Sequence, residues 1–100
     1  MIYVTQLIYI IAGQEKTFDE FEAIALPAIS KYNGRLLFRL RPPSNAYIES
    51  SIDQPYEIHL VEFATDNDLT AYMRDEDRKR FLHLKEQSIQ SALMIKGNKL

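Results

Sequence analysis

The stretch Leu26–Arg41, LPAISKYNGRLLFRLR, constrains the chain more than any other. An apolar-faced helical segment runs into Asn33-Gly34, a pair that ends helices and makes turns, and a strictly alternating strand follows at once. On that strand Leu36, Phe38 and Leu40 share one face, and Arg35, Leu37, Arg39 and Arg41 share the other. The first face reads as ordinary core beneath a helix. A face carrying three guanidiniums beside a leucine needs carboxylates, water or an anionic ligand to go with it.

The rest of the chain supplies what this unit packs against. Ile2–Ile11 reads as a strand with both alternation classes apolar, so it is buried on both faces, with Thr5 and Gln6 as the polar interruptions. Thr17-Phe18-Asp19-Glu20 has the form of a capping box and predicts a helix from there to Asn33. Its apolar stripe is Phe18, Phe21, Ile24, Ala25, Ala28, Ile29 and Tyr32, with Glu22 and Lys31 outside it. Pro27 lies inside the pattern and predicts a kink or bulge near Ala23.

Pro42–Pro55 is a long polar connection, and Tyr56–Phe63 is a further strand. Glu57, His59, Val61 and Phe63 alternate onto one of its faces, and Tyr56, Ile58, Leu60 and Glu62 onto the other. A cap signal at Thr65–Asp68 opens a second helical region, and Asp75-Glu76-Asp77 sit where a new helical turn would begin. One interrupted helix or two in sequence follow, and Ala92–Ile95 make a last short strand closed by Gly97. The charge run Arg74–Arg80 reads as a solvated face.

The order strand, helix, strand, strand, helix, strand gives, with right-handed crossovers, one four-stranded antiparallel sheet. Its first and third strands are central and its helices lie on one face. The opposite face, about 350 Å² in footprint from ordinary strand dimensions, is too apolar to leave in water. A second copy packing sheet to sheet is the expected cover. One hundred residues make a single domain, 1–100, whose modest core a partner subunit would supplement.

Composition narrows the function. Twelve basic residues against 14 acidic ones, interspersed, leave a net charge of -2 and no electrostatic footprint for nucleic acid. The absence of cysteine excludes disulfides, thiolate metal sites and thiol nucleophiles, and fits a cytoplasmic location. The apolar N-terminus is too short to span a membrane. Glycine-rich phosphate loops, nucleotide fingerprints and serine-histidine-acid patterns do not occur in the chain.

Arg39 and Glu62 are the leading candidate pair, expected to meet in the space between two sheets, either as an anion-binding or acid-base pair or as a structural ion pair. Gln6 interrupts an apolar strand and needs partners, which Glu62 or Arg39 would supply; alternation does not fix its face. Arg35 and Arg41, nearer the strand ends, read as solvated or as rim residues. Tyr56, with Tyr3, Tyr9, Tyr47 and Tyr72, is either a pocket wall or core packing. His59 has the pKa class of a general base but alternates onto the helix-facing side. With His83 isolated as well, no metal and no cofactor are expected.

The run ALPAISKYNGRLLFR (Ala25–Arg39), the strand PYEIHLVEF (Pro55–Phe63), the helical AYMRDEDRKRFLHLK (Ala71–Lys85) and the terminal Gly97 resemble, in order and spacing, the bacterial family called domain of unknown function 1330. The resemblance spans nearly the whole chain. Two departures are Lys85, where the family commonly has arginine, and the missing glycine-tryptophan pair before Pro55. The resemblance implies a ferredoxin-like βαββαβ fold of the dimeric α+β barrel kind, two sheets enclosing a cavity. A cavity lined by Arg39 and Glu62 would take a small organic, anionic ligand, and the resemblance implies proton-transfer or oxygenation chemistry without a bound metal if the protein is an enzyme. A non-catalytic dimerisation or ligand-sensing module is the alternative.

Overall fold

The computed structural model describes residues 1–100. Strands β1 (Ile2–Ile10), β2 (Gly34–Leu40), β3 (Glu57–Phe63) and β4 (Ile89–Gly97) form one antiparallel sheet in the order β2-β3-β1-β4, with the first and third strands central. Helices α1 (Glu15–Ala28), α2 (Asp66–Met73), α3 (Glu76–Arg80) and α4 (Leu82–Ser88) cover one face. The result is a slab of 36 × 36 × 16 Å. No helix is long and apolar enough to cross a membrane.

Local chemistry sets most of the boundaries. α1 passes into a 3-10 turn at Ile29–Tyr32 soon after Pro27, which supplies no N–H to the carbonyl of Ala23. Asn33 then adopts a left-handed conformation, φ 57°, and β2 starts at Gly34. A side chain at Gly34 would fall 2.6 Å from the Phe63 ring and 2.7 Å from Ile29, so only glycine lets the turn lie this close to β3. Thr65 caps α2 by accepting from the Asp68 N–H at 3.1 Å, as its spacing predicts.

Three expectations need correction. α1 begins at Glu15, so Thr17 lies within its first turn and bonds Gln14 rather than capping the helix. β4 runs nine residues, Ile89–Gly97, well beyond the short Ala92–Ile95 strand expected. The run Arg74–Arg80 is not wholly solvated, because Asp75 and Arg78 are buried: Asp75 caps α3, and Arg78 packs over Phe21 and Tyr72.

The helix-facing row of β3 is divided between two kinds of core. Val61 and Phe63 join Val4, Ile29 and Leu69 in the apolar cluster, which Tyr72 closes by donating to the Ala25 carbonyl at 2.9 Å. Glu57 and His59, on the same face two to six residues away, are buried as deeply but are polar and hydrogen-bonded. That polar half positions the site.

Candidate functional site

Glu57 is 1% exposed and accepts four hydrogen bonds. Arg39 reaches both of its oxygens through one amino nitrogen, each at 3.0 Å; Arg41 Nε donates to Oε1 at 2.6 Å; and Oε2 meets His59 Nε2. Arg41 also donates to Asp19 of α1 at 2.5 Å and lies 4.8 Å above the Tyr56 ring. Tyr56 in turn meets Phe18 edge to face. Burial alone would raise the Glu57 carboxyl, but the bonds from His59, Arg39 and Arg41 outweigh it and hold the group down to about 2.

Glu22 enters the same cluster from α1. It is 5% exposed, and its carboxyl lies within 4.8 Å of the ligand atoms of Glu57 and His59. Burial, together with the Glu57 charge, pushes it up to about 7 against the pull of His59, Arg39 and Arg78. Lys85 of α4 is lowered by burial and by Arg78. Two carboxyl groups a few ångströms apart are thus driven in opposite directions, the arrangement from which acid and base roles are assigned.

An open depression of about 500 Å³ reaches this cluster, lined by Asp19, Ala23, Arg39, Leu40, Arg41 and Glu57. The Arg39 side chain is 35% exposed there and spends only one nitrogen on Glu57, leaving its other amino group and Nε without protein partners. Glu22, Glu57 and His59 together have the chemistry to hold a metal ion. A cation would have to displace two guanidiniums from a carboxylate whose oxygens already accept four bonds, which favours an anionic or neutral ligand over a metal.

The structure separates the residues that sequence spacing paired. Leu36 lies opposite Val61, but the next pair in register is Phe38 with Leu60, so Leu37 forms a β-bulge. The bulge inverts the faces of the rest of β2. Arg39 shares the helix-facing row with His59, while Phe38 and Leu40 turn to the open face, 44% and 41% exposed. Arg39 therefore meets Glu57 instead of Glu62, and Glu62 pairs with Arg35 at 2.9 Å on the open face. Gln6 lies opposite His59 and takes the helix-facing side, half-buried. His59 is under the helices, 2% exposed, as its alternation predicts.

Sequence reasoning missed Glu22, Glu57 and Arg41. Glu22 lies outside the apolar stripe but is buried, and Arg41 is an anchor of Glu57 rather than a solvated end. One signal was available. Glu57 and His59 share a face with Val61 and Phe63, and charged groups in an apolar row imply partners brought to them.

No family model matches the chain, and no curated protein does. Solved structures do. A putative antibiotic biosynthesis monooxygenase from Nitrosomonas europaea superposes with a TM-score of 0.73 at 11% identity, over 100% of this chain and 99% of that one. An uncharacterised NIPSNAP domain protein from Burkholderia xenovorans gives 0.70 at 11%, over 100% and 95%. A protein of Arabidopsis thaliana gives 0.77 at 13%, over 100% and 96%. This is the ferredoxin-like α+β fold. At such identities the likeness is one of architecture, and function has to be argued from the site.

Proposed function

We propose that the protein binds a small organic anion in the depression between α1 and the β2–β3 edge, with Arg39 as the principal contact and Tyr56 and Gln6 supporting its walls. The observation that carries this is the unspent donor edge of Arg39: a guanidinium oriented by Glu57, open to a cavity, and able to offer a carboxylate two further N–H groups. The reading includes membership of the domain of unknown function 1330 family, supported by the ordered motifs from Ala25 to Gly97.

The same reading makes the protein a cytoplasmic homodimer joined through its open sheet faces. The chain exposes 6519 Å², against about 5,900 Å² for an ordinary monomer of its mass. Apolar side chains contribute to this exposure on that face, where Phe38, Leu40, Leu93 and Ile95 are 41–51% exposed. A second depression there, about 400 Å³, is lined by Tyr3, Arg35, Leu37, Leu60 and Glu62, and would become an inter-sheet space on dimerisation. It supports a second reading in which Arg35 and Glu62 receive the ligand.

Thermal-shift and calorimetric titration with acetate, benzoate, pyruvate and citrate test the assignment. At least one should raise the melting temperature, Arg39→Leu should abolish the response, and Arg35→Leu should leave it intact. The reverse dependence would move the site to the open face. No response to any of the four would leave the non-catalytic module as the better account. Leu93→Asp should convert a dimer to a monomer by light scattering; a monomeric wild type at micromolar concentration would contradict the assembly.

A further inference from the structure

We infer that Glu22 is the proton-transferring group of this pocket, acting on a small carboxylic acid that carries an acidic C–H beside a carbonyl, the class of the 2-oxo acids. The inference rests on the anion-binding reading above.

Position is the first argument. Asp19 and Ala23 of α1 line the depression and Glu57 forms its inner end. Glu22 stands on the same turn of α1, with its carboxyl within 4.8 Å of the Glu57 and His59 atoms. Glu22 is itself 5% exposed and set behind that lining, so an acid received by the free edge of Arg39 would reach its carboxyl past Glu57.

Availability is the second. Glu57 is committed as an anion, with four bonds to Arg39, Arg41 and His59. Asp19 is committed to Arg41. His59 gives one ring nitrogen to Glu57. Glu22 makes no hydrogen bond with its side chain to any of these neighbours, so its proton is not tied to a structural partner. The groups around it are Glu57 and His59 on β3, Arg39 on β2, Tyr72 on α2, Arg78 on α3 and Lys85 on α4. Burial among them holds Glu22 near 7, where both of its protonation states are populated at neutral pH.

The chemistry balances without a co-reactant. Ionised Glu22 takes a proton from the carbon next to the carbonyl. The C–H electron pair becomes the carbon-carbon π bond of the enolate, and the carbonyl π pair moves onto oxygen, where the one Arg39 N–H left free by the carboxylate receives the charge. Return of a proton from Glu22 to carbon regenerates the ketone; return to oxygen gives the enol. In heavy water, once the proton on Glu22 has exchanged with solvent for a deuteron, the first route leaves deuterium on carbon.

Proton NMR in heavy water with pyruvate, 2-oxobutyrate and phenylpyruvate, run beside calorimetric binding of the same acids, tests this. The expected result is deuterium incorporation at C3 of at least one acid above the protein-free rate, rising as pH passes through about 7. Glu22→Gln keeps the shape of the protonated carboxyl; it should retain binding within about threefold and slow exchange by about 100-fold or more. Glu22→Asp should restore part of the rate. Binding without exchange, or exchange indifferent to Glu22→Gln, overturns the role of Glu22 and leaves the anion site standing. Failure of all three acids to bind overturns the anion site and this inference with it.

Discussion

Part of each face of the sheet departs from the usual assignment of side chains. The covered face holds Glu57, His59 and, from the helix above it, Glu22, each 5% exposed or less, while the open face holds Phe38, Leu40, Leu93 and Ile95, each more than 40% exposed. Charges taken out of water cost several kcal/mol apiece unless they are paired, and apolar groups left in water forfeit the main force that folds a chain. A protein that does both at once has uses for each. The buried polar groups are the site we propose, and the exposed hydrophobes the interface we propose.

Removing the anchor of the covered face should have the largest effect. Glu57→Gln leaves two guanidiniums around an uncharged amide and should destabilise the chain by about 3–5 kcal/mol in urea denaturation. A cost below about 1 kcal/mol would show that Arg39 and Arg41 relax freely into water, and that the cluster is less closed than its exposure implies.

The pH dependence separates the two carboxyls of that face. Glu22 has a folded value near 7 against 4.5 for the free side chain, so between those values the folded chain holds a proton that the unfolded chain has released. Its contribution is complete below about pH 4.5 and is lost as pH rises toward 7, by about 3 kcal/mol. Glu57 has the opposite sign: its contribution is present above 4.5 and lost as pH falls toward 2. Denaturation curves between pH 4.5 and 7.5 should therefore slope downward for the wild type and be flatter for Glu22→Gln.

The open face should show the smallest effect in the single chain. Arg35 is 72% exposed beside Glu62, and in a Leu93→Asp background, which removes self-association, Arg35→Leu should change stability by less than about 1 kcal/mol. A larger cost in the wild-type background than in this one would mean that a second copy covers the pair.

Much of the architecture was legible because it rests on local signals. Asn33-Gly34, the Thr65 cap, and the double apolar alternation of β1 placed the helix end, the second helical region and the central strand. The site was less legible for two physical reasons. Alternation counts residues and assumes an unbroken ladder, so it carried Arg39 to the wrong face once Leu37 bulged. Helical stripes rank residues by polarity, so Glu22 was set aside although β3 supplies it with polar neighbours. Both errors concern partners distant in sequence, to which spacing along one element is blind.

The bulge at Leu37 also bears on how such a chain can change over generations. Deleting that one residue would restore the ladder with Phe38 still opposite Leu60 and Arg39 still opposite His59, so every later side chain would keep its face. Drawing Leu37 into the ladder opposite Leu60 would instead set Phe38 opposite His59 and carry Arg39 to the open face, without altering any amino acid. A one-residue gap at this point in a relative should therefore leave the pocket's side chains on the covered face, whereas a slip of register with the length unchanged would empty it.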